Sequence, residues 1–229
     1  MKIYFVRHGH PNYTTDSLTE LGHRQAAAAA QRLKDCGIGE IYSSSKGRAV
    51  QTAEYTASLL GLPVIQCDFM REITWGPLEG EEILEKGHPW KISDIFAGEG
   101  RSLNDPDWES KEPFCKSTLP DAMKRVIDGL DAWLCELGYK REGEYYRVVG
   151  ENTDRTVALF SHGGAGSVAW AHLFNLPFIK VCGFCRPDFT SVTVIEFSNE
   201  IGGLCFPKVR LYNDARHIEG LDADNVYGI

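Results

Sequence analysis

Two histidines occupy matching places in this chain. His8 lies just beyond the apolar run Lys2–Val6, and His162 directly follows the apolar run Thr156–Ser161. Both runs predict strands, and in a parallel sheet ligands bind beyond the carboxyl ends of the strands. We therefore expect the two strands to carry both imidazoles into one site.

The neighbours of the two histidines favour phosphate as the ligand of that site. Glycine lets a backbone approach a ligand closely, and Gly9 follows the first histidine while Gly163 and Gly164 follow the second. The pair Gly163–Gly164 begins a predicted helix, whose free N–H groups attract an anion. Arg7 adds a planar, permanently charged guanidinium that suits phosphate. A lone histidine is more often structural than catalytic, so the matched pair carries this inference.

Composition argues against several other classes of protein. The chain has 24 Lys and Arg against 32 Asp and Glu, a net charge of −8, which disfavours nucleic-acid or basic membrane-surface binding. We expect no membrane span, because no apolar run approaches the roughly 20 residues that one needs. We also expect no export signal. Seven cysteines, an odd number, then predict reduced thiols in the cytoplasm.

The elements that position the site alternate between strand and helix, which predicts an α/β domain with a mainly parallel sheet. We interpret all 229 residues as one domain. Residues 141–154 are interpreted as a polar, turn-rich segment. The predicted strands are Lys2–Val6, Ile38–Tyr42, Leu62–Cys67, Thr156–Ser161, Ser191–Phe197 and Phe206–Tyr212. The predicted helices are one capped by Thr19 and running to Leu33, one with Val50, Ala53, Ala57 and Leu60 on its buried face, one over Met123–Leu137, and one from Gly163 to near Asn175.

An insertion at about residues 81–118 breaks this alternation. It is rich in acidic residues, glycine and proline, and we interpret it as a partly helical lid over the site. Its Trp90 and Trp108 either anchor it to the domain or line a substrate pocket. Cys182 and Cys185 lack a second pair of ligands at zinc spacing and precede a strand, so they are interpreted as core or loop cysteines.

Six segments in the same order together resemble the histidine phosphatase superfamily, the phosphoglycerate mutase-like proteins. The three letters of the first would be weak evidence alone, and the other five make the resemblance strong. The segments are Arg7-His8-Gly9, Leu18–Ala26, Ser43–Ala53, Glu72 with Gly76, Glu79 and Gly80, Ser161–Gly164, and Asn213 with His217.

The resemblance implies a three-layer fold and a role for each matching residue. His8 would be the nucleophile that takes the phosphoryl group on a ring nitrogen. Arg7, Arg48 and His162 would bind the phosphoryl oxygens and stabilise the charge of the transition state. Glu72 would protonate the leaving oxygen and then take a proton from the attacking water. The scheme requires no metal and no cofactor.

Further residues are expected at the rim of the pocket. Gly163, Asn12 and His10 are predicted to contact the substrate, a small phosphorylated metabolite. Glu79 and His10 are the alternative candidates to Glu72 for the role of proton donor, although Glu79 is better explained as a structural partner.

The chain also departs from the family pattern. Ser45 and Lys46 replace the usual Pro and Leu, and His10-Pro11-Asn12 replaces the longer motif of true mutases. A general phosphatase is therefore favoured. The alternatives are a mutase that returns the phosphoryl group to another hydroxyl, and a catalytically silent protein that binds a phosphorylated ligand. The sequence names no substrate and leaves the oligomeric state open, a homo-oligomer included.

Overall fold

The computed structural model describes residues 1–74, 92–112, 114–151 and 154–221. The strands are β1 (Lys2–Arg7), β2 (Pro11–Asn12), β3 (Ser17–Leu18), β4 (Glu40–Ser43), β5 (Val64–Gln66), β6 (Tyr139–Glu142), β7 (Tyr145–Val148), β8 (Thr156–Ser161), β9 (Val192–Glu196), β10 (Leu204–Cys205) and β11 (Lys208–Asp214). The helices are α1 (Glu20–Leu33), α2 (Gly47–Leu60), α3 (Ile92–Gly98), α4 (Leu119–Glu136), α5 (Gly163–Phe174) and α6 (Phe178–Phe184).

Six strands form a central sheet in the order β11-β9-β1-β8-β4-β5. β1, β8, β4 and β5 run parallel to one another, and β9 and β11 are antiparallel additions at one side. Because β1 lies between β8 and β9, both of its edges are paired. The predicted α/β class with a mainly parallel sheet is confirmed.

Helices cover both faces of this sheet, which confirms the three-layer architecture. Alternate residues of a strand point to opposite faces. Val6 accordingly packs with Leu33 and Ala53 of α1 and α2 on one face. Its neighbour Phe5 packs on the other face with residues of α4 and α5 such as Leu130. The strands are therefore buried on both sides, as their continuous apolar runs indicate.

α1 begins and packs as its sequence predicts. The Thr19 hydroxyl accepts a hydrogen bond from the Gly22 N–H at 3.1 Å, the usual N-cap contact. Gly22 also brings α1 against the loop after β1, since a Cβ at this position would lie 2.2 Å from the His10 carbonyl oxygen. The close approach explains why glycine stands here, one helical turn inside the cap.

The buried face of α2 differs from the prediction. Ala53 and Ala57 are buried as expected, but Val50 and Leu60 are only half-buried. The helix is rotated so that polar residues, Arg48 and Thr52 among them, also face inward. The apolar pattern alone could not reveal this, because these polar side chains are turned toward the candidate site.

The interpretation of residues 141–154 as turn-rich is wrong over the first half of that segment. β6 and β7 form a hairpin that β10 extends into a second, three-stranded sheet. Tyr146 and Val148 are buried, whereas Tyr145 is exposed and Arg147 is half-buried. This alternation is typical of a strand, but the polar groups of the outer residues make it difficult to recognise in the sequence. The short helix α6 was also not predicted.

The described part of the insertion is anchored on α6. Trp108 is 5% exposed and its ring stacks on that of Phe178 with the centroids 5.9 Å apart, while Phe114 meets it edge-on at 5.1 Å. This geometry supports the anchoring role for Trp108. Trp90 lies outside the described residues, and the placement of the insertion over the site stays a prediction.

Two further expectations concern helices and cysteines. Among the residues that the structure describes, no helix is long and apolar enough to cross a membrane. Cys182 and Cys185 are buried in and just after α6, as core cysteines should be, and all seven cysteines are free thiols.

Candidate active site

The pairing of β1 with β8 brings the two predicted histidines together. Arg7 is in register with Ser161, so the residues that follow, His8 and His162, leave the sheet side by side. The His8 N–H donates to the Ser161 carbonyl at 2.9 Å, and the two imidazole centroids are 5.1 Å apart. Their exposed fractions are 1% and 2%. Both rings therefore line one buried point at the carboxyl edge of the parallel strands.

His8 is held so that one ring nitrogen faces the site. Its Nδ1 lies 2.7 Å from the Gly9 carbonyl oxygen, which can only accept, so Nδ1 carries the proton. Nε2 is then left with its lone pair, and the Nε–H of Arg48 donates to it at 3.3 Å. Burial, reinforced by Arg7 and then by Arg48, lowers the pKa of His8 well below its ordinary value. The imidazole is thus neutral near pH 7, with Nε2 able to attack.

Arg48 is fixed by a residue that the sequence analysis did not identify. One carboxylate oxygen of Asp16 makes a very short contact with the Arg48 guanidinium, and the other accepts the Gly47 N–H at 3.0 Å. Asp16 therefore ties the start of α2 to the loop that follows β2. The one sequence signal for a role of Asp16 was its position just before Leu18 and Thr19, which belong to the family-like segments. Nothing in the sequence related Asp16 to Arg48.

Arg7 lies against the loop that precedes β9. Its guanidinium donates to the Pro187 carbonyl at 2.5 Å and stacks 4.1 Å above the ring of Phe189. The Phe189 ring also lies 5.7 Å from that of His8. Burial lowers the pKa of Arg7 from its ordinary value. An arginine held in this way supplies a fixed positive charge beside His8.

His162 contacts the loop after β4. Its Nε2 lies 2.7 Å from the Ser44 hydroxyl oxygen. Burial, followed by the neighbouring His8 and Arg48, lowers the pKa of His162 well below its ordinary value. Like His8, it is therefore neutral near pH 7 in the free protein.

Glu72 lies at the N-terminus of α5. Its Oε1 accepts the Ala165 N–H at 2.8 Å and the Ile73 N–H at 3.0 Å, and its Oε2 lies 3.4 Å from the Gly164 nitrogen. A carboxylate is favoured at this end of a helix. A Cβ at Gly164 would sit 2.6 Å from Oε1, so the glycine makes room for the carboxylate. The structure thus holds Glu72 at the end of the sheet where the histidines meet.

The remaining predicted residues have mixed outcomes. His10 is half-buried with its Nδ1 2.9 Å from the Thr19 hydroxyl, and Gly163 is the first residue of α5. The exposed Asn12 accepts a hydrogen bond from the Thr14 N–H at 3.1 Å, which gives it a structural contact within its own loop. Substrate contacts by these three stay predictions. Glu79 lies outside the described residues.

Two C-terminal residues of the predicted pattern support the site indirectly. The Asn213 side chain accepts the Asp188 N–H at 2.8 Å and donates to the Asp188 carboxylate at 2.9 Å. The Nε2 of His217 lies 3.0 Å from the Thr190 hydroxyl. Both contacts hold the loop that carries Phe189 against Arg7 and His8.

The cluster offers cationic and neutral donors for an anion. Two guanidinium groups and two imidazoles converge beside the N-terminus of a helix, an arrangement that suits a phosphoryl group. In residues 1–74, 92–112, 114–151 and 154–221, no group of three or more His, Cys, Asp or Glu side chains is placed to hold a metal ion.

The sequence of the chain is similar to that of a known protein family. The family model of the histidine phosphatase superfamily (branch 1) matches residues 3–204. A probable phosphoglycerate mutase of Yersinia pestis (strain Pestoides F) is 34% identical over 122 residues, which are 48% of this chain and 56% of that protein. The chain thus spans little more than half the length of the curated relatives that it matches.

Solved structures agree over a longer stretch. The phosphoserine phosphatase of Entamoeba histolytica, in complex with 3-phosphoglyceric acid, superposes with a TM-score of 0.63 at 22% identity over 95% of this chain and 98% of that one. A mycobacterial glucosyl-3-phosphoglycerate phosphatase in complex with VO3 has a TM-score of 0.63 at 22% identity, over 93% and 98% of the two chains. At such identities the likeness shows the fold.

Proposed function

Because the chain belongs to branch 1 of the histidine phosphatase superfamily, we propose that it is a phosphatase that hydrolyses a small phosphomonoester through a phosphohistidine at His8. The membership confirms the resemblance inferred from the six sequence segments. The observation that carries the proposal is the orientation of His8, whose Nδ1 is committed to the Gly9 carbonyl while Nε2 faces Arg48. A neutral, oriented imidazole beside two arginines is what nucleophilic attack on a phosphoryl group needs.

In the first half of the proposed reaction, the phosphoryl group binds between Arg7, Arg48 and His162. Arg48 then turns its N–H groups from His8 to the phosphoryl oxygens, which frees the Nε2 lone pair. Nε2 attacks phosphorus, the bond to the ester oxygen breaks, and that oxygen takes a proton from Glu72, the general acid of this step. The alcohol leaves and His8 carries the phosphoryl group.

In the second half, a water molecule attacks the phosphohistidine. Glu72, now a carboxylate, takes a proton from this water as the bond between nitrogen and phosphorus breaks, and inorganic phosphate leaves. His8 regains its neutral form with the proton still on Nδ1. The arginines and the helix N-terminus supply positive electrostatic stabilisation throughout, so the proposal includes no metal and no cofactor.

Phosphoryl transfer of the mutase type is the second candidate. It is favoured by the name of the Yersinia relatives, probable phosphoglycerate mutase. The phosphatase titles of the two structural neighbours favour hydrolysis. Incubation with a panel of phosphorylated metabolites separates the two, since a phosphatase releases inorganic phosphate whereas a mutase forms an isomer of its substrate. Absence of both products over a broad panel would favour a silent binding protein.

The covalent step is tested by trapping. Wild-type protein is mixed briefly with ³²P-labelled substrate and quenched in alkali, because the bond between phosphorus and histidine is labile in acid. Label should appear on the peptide that contains His8. His8→Ala should abolish both label and turnover, and its far-UV circular dichroism spectrum should match that of the wild type. His23→Ala is the control and should keep both, because this half-buried histidine of α1 contacts Tyr55 rather than the candidate site. Turnover without label on His8 would refute the proposal.

We also propose that the protein works in the cytoplasm on a small phosphorylated metabolite. The support is its seven free thiols, since thiols stay reduced in that compartment.

A further inference from the structure

A small cavity lies behind the two histidines, on the face of the sheet that α5 covers. Its volume is about 10 Å³, and its polar side chains come from Arg7, Ser161, His162, Ser191 and Thr193. Arg7 is in register with Ser161 on one side and its N–H bonds to the Ser191 carbonyl on the other. The side chains of these adjacent positions in neighbouring strands therefore point to the same face. His162, the N-cap of α5, closes the end of the cavity nearest the site.

Three of these five side chains bring a buried polar atom that has no hydrogen-bond partner within the described parts of the chain. The atoms are Nε of Arg7, Nδ1 of His162 and Oγ of Ser191. His162 and Ser191 are each 2% exposed. The other two are already satisfied, because the Ser161 hydroxyl donates to the Met70 carbonyl at 3.0 Å and the Thr193 hydroxyl oxygen accepts the Asn213 N–H at 3.1 Å. Buried polar groups are rarely left unpaired, so three in one cavity call for a common partner.

We propose that the cavity binds one water molecule that joins these three atoms. A buried water needs roughly 10–15 Å³ and two to four polar partners, and both requirements are met here. Pro187 and apolar side chains such as Phe5 and Trp170 complete the lining, so the water has a defined place. A larger ligand does not fit the volume.

The chemistry of the three atoms fixes the direction of one hydrogen bond. Arg7 Nε can only donate, so the water oxygen accepts from it. In the proposed arrangement the two protons of the water are donated to Nδ1 of His162 and Oγ of Ser191. Nδ1 of the neutral ring is then an acceptor, and the proton of His162 is on Nε2. The water thereby favours the Nε2–H tautomer over the alternative in which Nδ1–H donates to the water.

This selection would matter for the reaction, a consequence that rests on the proposed function. Nε2 of His162 faces Ser44 and the candidate phosphoryl pocket. When substrate binds, the Nε2–H of this tautomer turns from Ser44 to donate to a phosphoryl oxygen, whereas in the other tautomer the Nε2 lone pair would repel that oxygen. Ser191 would then be a positioning residue that acts on the site through the water and His162.

The test uses the free protein and needs no turnover. A high-resolution crystal structure should show a water within hydrogen-bond distance of the three atoms. Two-bond ¹H–¹⁵N spectra of protein labelled at histidine should show His162 in the Nε2–H form. Ser191→Val, which places methyl groups in the cavity, should remove the water and the tautomer preference. The dissociation constant for vanadate should rise about tenfold, as expected when a hydrogen bond to a charged group is lost.

Ser161→Ala is the matched control, because it removes a buried hydroxyl at the same cavity that is already bonded to Met70. It should keep the water and the Nε2–H tautomer. If Ser191→Val does not fold, Ser191→Ala, which removes only the hydroxyl, should weaken the preference for the Nε2–H tautomer. The wild-type measurements test the proposal without either variant. A dry cavity, or an Nδ1–H tautomer in the wild type, would overturn the inference. Neither outcome would affect trapping of the phosphoryl group on His8, so failure of this inference is distinct from failure of the proposed function.

Discussion

Acidification should destabilise the protein through His217, which lies outside the candidate catalytic cluster. The Thr190 hydroxyl donates to the Phe189 carbonyl at 2.8 Å, so its oxygen accepts the proton on Nε2 of His217. Nδ1 is buried and has no partner in the described residues. Burial is the main reason that the pKa of His217 is lowered to about 4. The neutral ring is therefore part of the folded state.

The size of the effect follows from linkage. An unfolded histidine has a pKa of about 6.5, so between pH 6.5 and 4 the unfolded chain binds more protons, and folding stability decreases as the pH is lowered. This difference in proton binding lowers the free energy of unfolding at pH 5 by about 2 kcal/mol relative to its value at pH 7.5. Because the ring is only partly buried, solvent screening lowers our expectation to about 1–2 kcal/mol. The contribution is fully present above pH 6.5.

Urea unfolding at pH 7.5 and at pH 5.0 measures this contribution. His217→Gln keeps an N–H donor for Thr190 but cannot be protonated, so it should lose about 1–2 kcal/mol less than the wild type over the same interval. His8 and His162, whose pKa values are also lowered, contribute equally to both proteins and cancel. His23→Gln is the control and should follow the wild type. An equal loss in His217→Gln and wild type would refute the reasoning.

Four further predictions concern the site. Glu72→Gln should slow hydrolysis of an alkyl phosphate by about 10²–10⁴-fold and that of nitrophenyl phosphate far less, because an alkoxide needs a proton to leave; equal losses in steady-state assays would assign the acid elsewhere. Gly164→Ala should displace the Glu72 carboxylate, with the same dependence on leaving group and a loss of about 1–3 kcal/mol of stability in urea. Asp16→Asn should raise KM about tenfold by releasing Arg48, and an unchanged KM would show that Arg48 needs no such tether. EDTA should leave activity unchanged while vanadate competes with substrate; strict dependence on an added metal would count against the proposed chemistry.

The parts of the fold that depend on local sequence signals could be predicted. β8 has the bounds of its apolar run, and α1 begins at the Thr19 cap. The hairpin of β6 and β7 could not be recognised, because only two of its inner residues, Tyr146 and Val148, form an alternating pattern and the strand that completes its sheet, β10, comes from distant residues. Tertiary pairing, rather than local propensity, makes these residues strands.

In the candidate site, too, some residues could be predicted from local sequence signals and others could not. His8 and His162 were predicted from their positions after two strands, since parallel pairing alone brings such residues together. Asp16 and Phe189 were not predicted, because each acts through a loop whose course depends on the whole fold. No periodic pattern or terminal signal marks a residue whose role is to hold an arginine in place.

The central place of β1 has a consequence for how the chain folds. This strand precedes the other strands of the sheet in the sequence, and its two partners, β8 and β9, come more than 150 residues later. Contacts between such distant segments carry a large loop-closure cost and form slowly. Until they form, an apolar strand with both edges unpaired is open to association with other chains. The pairing that assembles the two histidines is thus also the step at which a newly made chain is most exposed to aggregation.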